Sequence, residues 1–400
     1  MKNKIALLMK LTGIFFILLV FSCKKDTENT VSGAKNFIKT FDGVQHFDDW
    51  GNSVQQTTDG GYIVTGRINS QGFSEGEMGL IKFDASGNEL WIKTFSGVKA
   101  AEGHSVQQTS DNGYIVAGTF AGSSGDFAKD ARLIKTNSSG GETWSKFWYN
   151  NPTDSRQIAY SVDQTNDGGY IITGYYDSEL WVKKTDASGN DLWDNTFSHG
   201  AAKGYCVQQT SDGGYIVSGE NTSMDQSDVW LIKLNSSGNQ DWKESFGSLL
   251  TGHDDVGYSV QQTSDGGFII AGETLEVFPI TKLWLIKTNK NGKKLWEKRF
   301  GDKETDDYVG YSIQQTSDDG FIITGQKRSQ PDISEPPTYS VFLIKTEENG
   351  NKSWEKTFTG YKGNEVQQTS DGGFIITGQT GSRDEYDLLL IKTDQNGNVN

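Results

Sequence analysis

The chain has 400 residues, 48 of them glycine, with 11 tryptophans, two cysteines and a formal charge of −15. With a leader over residues 1–22 set aside, 34 bases face 52 acids, which argues against the basic stripe a nucleic-acid binder needs to displace phosphate counterions. Apolar residues at 34%, together with the glycines, suffice for a core, and two cysteines cannot make a disulfide scaffold.

Lys2 and Lys4 give a short basic start, and Leu11–Phe21 is an apolar run of signal-peptide length, too short to span a bilayer comfortably. The run ends in Val20-Phe21-Ser22-Cys23, followed by Lys24-Lys25-Asp26. This resembles a bacterial lipobox, and the Cys-Lys-Lys-Asp start resembles lipoproteins of Bacteroidota. The resemblance implies a signal peptide over 1–22, cleavage before Cys23, and acylation of that cysteine as an outer-membrane anchor on the cell envelope. Each buried acyl methylene contributes about 0.8 kcal/mol to such an anchor. The polar residues 23–35 read as a flexible tether.

From residue 36 onward the chain repeats itself. The segment Ser53-Val54-Gln55-Gln56-Thr57-Thr58-Asp59-Gly60-Gly61-Tyr62-Ile63-Val64-Thr65-Gly66 recurs seven times, anchored at Val54, Val106, Val162, Val207, Val260, Ile313 and Val366. Successive anchors lie 52, 56, 45, 53, 53 and 53 residues apart. Each copy predicts four short strands: Val-Gln-Gln-Thr, then Tyr-Ile-Val-Thr-Gly, then Leu-Ile-Lys, then Trp-x-Lys-x-Phe. Asp-Gly-Gly between the first two signals a hairpin with left-handed backbone positions. Four strands in about 52 residues fit a propeller blade. The last copy stops at Asn400 without its fourth strand, and an orphan fourth strand, Phe37–Phe41, precedes the first copy. The expected fold is therefore an all-β, seven-bladed β-propeller over 36–400, with four antiparallel strands per blade. The N-terminal strand Phe37–Phe41 completes the last blade and removes an open sheet edge.

Two connections are constant: 12 residues from anchor to the glycine ending the second strand, and 11 from the third-strand leucine position to the fourth-strand tryptophan. The other two vary, the second-to-third link from 8 to 18 residues and the fourth-to-first from 8 to 14. Both variable links emerge on one face, where propellers place binding surfaces. Candidate loops are Arg67–Gly79, Thr119–Arg132, Glu273–Lys282 and Gln326–Ser340.

Two residues before each anchor stand Asn52, His104, Tyr160, Tyr205, Tyr258, Tyr311 and Asn364, a ring expected at the mouth of the central channel. The histidine and four tyrosines could stack on a sugar or peptide, or simply pack between blades. The Gln-Gln pairs are expected to satisfy the inner strand's open backbone edge, with water. Paired aspartates, Asp48-Asp49, Asp254-Asp255 and Asp306-Asp307, could converge on calcium or supply a catalytic acid and base. They also fit Asx-capped turns. His46, His104, His199 and His253 follow no zinc-ligand spacing. Cys206 replaces a serine found in five other copies and reads as a half-buried strand residue. No nucleophile elbow, phosphate loop or dinucleotide fingerprint is present.

The run Gly-Gly-Tyr-Ile-Ile-Thr-Gly with Leu-Ile-Lys-Thr-Asp-x-x-Gly-Asn-x-x-Trp-x-Lys-Thr-Phe resembles the SBBP-type and related β-propeller repeats of bacterial and archaeal surface proteins. The resemblance implies a secreted or surface location and brings no catalytic residues or cofactor. The expectation is a non-enzymatic, lipid-anchored monomer that binds a protein or glycan through its variable face. A polysaccharide lyase or hydrolase using the aspartates, and a structural subunit of an envelope complex, are the alternatives.

Overall fold

The computed structural model describes residues 36–43, 48–69, 76–95, 101–121, 129–148, 156–198, 200–223, 226–247, 254–277, 280–301, 305–332, 334–381 and 386–399. The leader, Cys23 and the tether lie outside them. The compact unit Ala34–Asn400 is built from seven four-stranded antiparallel sheets, and among the described residues there is no helix. No helix long and apolar enough to cross a membrane occurs among those residues.

The first blade is representative. Its inner strand Trp50–Gln56 is followed outward by Tyr62–Ile68, Glu77–Phe83 and Glu89–Phe95. The second and third strands are buried on both faces, which is why they read as continuous apolar runs. In the seventh blade the outer position is taken by Phe37–Phe41, paired antiparallel to Leu388–Thr393 with Phe37 opposite Lys392 and Phe41 opposite Leu388. The ring closes as the sequence predicts.

The hydrophobic core is distributed between blades rather than within them. One cluster joins Ile63, Met78 and Leu80 of the first blade to Val106, Tyr114 and Val116 of the second, and each of the other six spans a neighbouring pair in the same way. The outer-strand tryptophan covers the next blade: Trp91 packs on Tyr114 with ring centroids 6.0 Å apart, and its ring lies over Gly140. Gly140 has a φ of +78° and a Cβ there would meet the indole. At the closure Phe37 does the tryptophan's work, lying over Gly87 and 6.3 Å from Tyr62.

The lysine of each Leu-Ile-Lys run is buried, a role its sequence does not announce. Lys392 has a fully buried side chain, and its ammonium donates to the Thr393 carbonyl (2.8 Å) and to Asp371 (2.9 Å), the aspartate of that copy's Asp-Gly-Gly. Lys82, Lys135, Lys184, Lys233, Lys287 and Lys345 repeat the clasp. It also explains the hairpin glycines. The left-handed residue is the first glycine, Gly60 at φ +81°, a position where Asn112 and Asp319 serve as well. The second, Gly61 and its equivalents, occurs in every copy because a Cβ would overlap the Phe83 carbonyl and crowd the Lys82 ammonium.

Where loops were expected on the variable face, several links are hairpin extensions. The second and third strands of the fifth blade run to Val277 and restart at Ile280, and those of the sixth run to Ser329 and restart at Thr338. Their ladders continue past the glycine that ends the shared repeat.

Candidate functional site

The residue two before each anchor is a β-bulge in all seven blades. Pairing with the second strand skips Asn52, His104, Tyr160, Tyr205, Tyr258, Tyr311 and Asn364 in turn. An extra residue re-aims its side chain, so the bulge residue and the next one both line the channel. The bulge also accounts for the glycine ending the second strand: a Cβ on Gly66 would overlap the Trp50 carbonyl oxygen, and the same holds at Gly174 with Ile158.

The structure thus brings the predicted mouth residues together. His104, Tyr160, Tyr205, Tyr258 and Tyr311 form a continuous tilted stack with centroid separations of 5.4, 5.3, 5.2 and 5.1 Å. Asn364 and Asn52 complete the circle, the Asn364 amide donating to the Gly51 carbonyl (2.8 Å) and Asn52 to Glu102 (2.8 Å). They enclose a cup of about 220 Å³. Carboxylates from the second strands and the second blade's inner strand hold the lip. The Tyr205 hydroxyl donates to Glu220 (2.9 Å), which also pairs with Lys203 (2.6 Å), and the Tyr258 hydroxyl donates to Glu273 (2.7 Å). Burial, then the adjacent Glu220, raises the Tyr160 hydroxyl to about 12, and burial followed by Glu273 holds Tyr258 well above the phenol range. Burial also raises Glu273.

The floor of the cup is a second ring, one residue further along each inner strand. Ser53, Ser105, Ser161, Ser259 and Ser312 accept the anchor N–H of the next blade, from Val106, Val162, Val207, Ile313 and Val366, at 3.0–3.3 Å. Cys206 donates its thiol to the Val260 carbonyl (3.5 Å), and burial pushes that thiol up to about 11, so it is no ready nucleophile. The seventh member is Glu365, which accepts from Val54 N–H (2.6 Å) across the closing seam. Burial raises its carboxyl to about 7, against hydrogen bonds from Ser53 and Val54 that lower it. Sequence reasoning missed Glu365. The signal available was its place as the remaining exception in the serine column.

Below that ring the glutamines satisfy the open backbone edge of the inner strands, as expected. Gln55 accepts the N–H of Gln108 in the next blade (2.5 Å), and Gln367 accepts that of Gln56 (2.6 Å). In the opposite sense Gln108 accepts from Thr58 (2.8 Å) and Gln56 from Ser370 (2.8 Å). Asp163 stands in for a first glutamine and accepts from Gln209 N–H (2.9 Å). A lower cavity of about 240 Å³ lies within this ring.

The aspartate pairs do not converge. Asp49 is buried and accepts from Asn69 N–H (2.6 Å) and Gly43 N–H, and burial lifts its carboxyl to about 6. Asp48 accepts from Tyr386 N–H (3.1 Å) of the seventh blade. Asp254 accepts from Ser227 N–H (3.2 Å) and Asp307 from Thr281 N–H (3.0 Å), each a contact to the preceding blade. Asp306 takes the Ser329 hydroxyl (2.5 Å) and pairs with Lys327 (3.0 Å), while Asp307 pairs with Arg328 (2.8 Å). Asp255, Asp306 and Asp307 begin inner strands rather than sitting in turns, and Asp255 is buried. The pairs act as staples, and no cluster of three or more metal-ligating side chains occurs among the described residues. His46, His199 and His253 lie outside those residues.

No protein-family model matches the chain. No curated protein matches it either. Among solved structures it is similar to the WD40 β-propeller domain of Doa1, with 14% identity over 86% of this chain and 93% of that one, TM-score 0.54. Sqt1 from Chaetomium thermophilum aligns over 89% of this chain and all of its own, at 10% identity and TM-score 0.50. A protein from Bacteroides caccae aligns over 74% of this chain and 93% of its own, at 12% identity and TM-score 0.45. At such identities the likeness to the first two speaks for the β-propeller fold alone.

Proposed function

We propose that this chain is a lipid-anchored β-propeller of the cell envelope that acts as a binding or scaffold module for a protein or glycan. The observation that carries this reading is the position of the aromatic cup. Seven bulges open it on the same face as the links that vary in length, while the other face is built from hairpins of constant length. A uniform ring with one individual face suits recognition. The closing strand Phe37–Phe41 runs from the hairpin face toward the variable face. The resemblance to SBBP-type surface repeats and to lipoproteins of Bacteroidota supports an outer-membrane setting.

A lyase or hydrolase draws no support from the aspartate pairs, because Asp48, Asp49, Asp254, Asp306 and Asp307 are engaged in hydrogen bonds and ion pairs at separate blades. Crosslinking pull-down from intact cells tests the reading. A partner captured by the full chain and lost when the 326–340 and 67–79 links are exchanged for short turns supports it. Capture unaffected by both exchanges overturns the assignment to this face. Metabolic fatty-acid labelling tests the anchor: label absent from the wild type, with Cys23→Ser fractionating unchanged, removes it.

A further inference from the structure

The cup's chemistry is asymmetric in a way that selects a ligand class. Its walls are aromatic: four tyrosines and a histidine, each ring 5.1–5.4 Å from the next and tilted against it. Two of the tyrosines donate their hydroxyls to carboxylates, Glu220 and Glu273, which leaves the rings more electron-rich. Its floor carries the Glu365 carboxylate, held by neutral donors, the Val54 N–H and the Ser53 hydroxyl. No lysine or arginine lines the cup. At its edge the chain already places a cation on this aromatic circle, the Lys362 ammonium 5.3 Å from the Tyr311 centroid. A cation over an aromatic face is attracted by the ring quadrupole, most strongly where water is excluded. The cup's 220 Å³ corresponds to roughly seven water volumes, room for a short alkyl chain bearing one charge.

We infer that the mouth binds the positively charged tip of its partner, an alkylammonium or guanidinium group, with the tyrosines around the alkyl stem and Glu365 facing the charge. This rests on the reading of the mouth as the binding site and names what that site takes. A neutral sugar lacks the charge that the floor complements, and an anion meets Glu365, Glu220 and Glu273.

The test is calorimetric titration of the full chain in detergent at a pH well above 7, where Glu365 is ionised, with n-butylammonium, its neutral isostere n-butanol, and glucose. The expected result is binding of n-butylammonium at least about tenfold tighter than n-butanol, a difference of about 1.4 kcal/mol. Glu365→Gln should weaken n-butylammonium about tenfold while leaving n-butanol unchanged. Tyr258→Leu should weaken both, and Tyr258→Phe should retain most of the binding. Circular dichroism melts establish that each variant is folded, and Glu365→Ser, which restores the serine column, replaces Glu365→Gln if that variant does not fold. Equal binding of n-butanol and n-butylammonium, or of wild type and Glu365→Gln, overturns the inference. Glucose binding alone overturns it while leaving the mouth as the site. No binding by any probe, with a partner still captured from cells, overturns the cation assignment and shifts recognition to the links.

Discussion

Glu365 offers a sharp measurement because its carboxyl is raised in the folded chain from an ordinary 4.5 to about 7 by burial. A carboxyl raised on folding holds its proton more tightly in the native state. Its stabilising contribution is therefore complete below the unfolded value and is lost as pH climbs toward 7. The rise from 4.5 to about 7 corresponds to about 3 kcal/mol. The side chain lines a channel that admits water, so the lower part of the range, about 2–3 kcal/mol, is expected. Glu365→Gln keeps an acceptor for the Val54 N–H and removes the titration. Urea denaturation followed by tryptophan fluorescence at pH 4.5, 5.5, 6.5 and 7.5 gives the comparison. Asp49, raised to about 6, imposes a slope of the same sign on both proteins and cancels in the difference. The variant should gain on the wild type by about 2–3 kcal/mol across this range. A flat difference curve would show that channel water solvates the carboxylate fully and that burial imposes no penalty there.

The clasp predicts an asymmetry. Asp371→Ala strands the buried Lys392 ammonium and should cost about 3 kcal/mol, whereas Lys392→Met should cost less than about 1.5, measured by urea denaturation. Burial pushes the clasp carboxyls up, but their threonine, glycine and lysine hydrogen bonds outweigh it and hold Asp111, Asp167, Asp212 and Asp265 at about 2. Depressed values mean stability that is present above pH 4 and lost as pH falls toward 2, so urea midpoints should fall steeply in that window. Gly60→Ala, at φ +81° with open space around it, should cost about 1–2 kcal/mol. Gly61→Ala, which drives a methyl into the Phe83 carbonyl, should cost about 3 kcal/mol or more, and equal melting temperatures for the two would refute the close-approach account. Phe37→Ala should cost about 3–4 kcal/mol through the closing blade, while Phe37→Trp, the residue used in the six other blades, should melt close to wild type.

The ring and its closure were legible because their evidence is spacing, which repeats make redundant: constant hairpin lengths, and an orphan strand that matches a missing one. The mouth was legible for the same reason, since seven anchors fix seven residues two positions earlier. The bulge that aims those residues left no trace in the spacing, because an extra residue present in every copy changes no interval. The lysine clasp was hidden by residue type. Lys82 in Leu-Ile-Lys reads as a solvent-facing position, and only its contact with Asp59 across the hairpin shows why the cation is buried. The aspartate pairs misled in the opposite direction. Adjacency in sequence suggested a shared task, yet Asp306 and Asp307 pair with different bases, Lys327 and Arg328.

The seam between the seventh and first blades is bonded at the same strand positions as the others, with Glu365 in the serine's place: Val54 to Glu365, Gln56 to Gln367, Ser370 to Gln56, and Asn364 to Gly51. The chain break lies inside the seventh blade, where Phe37–Phe41 pairs with Leu388–Thr393 without the tight hairpin that joins those strand positions in the other blades. The ends of the propeller thus take the place of a third-to-fourth hairpin on the constant face: a circular permutant that joins Val399 to Asn36 by a short turn and is opened at the equivalent hairpin of another blade should assemble the same ring. The order in which the blades are synthesised is then a matter of indifference to the finished object.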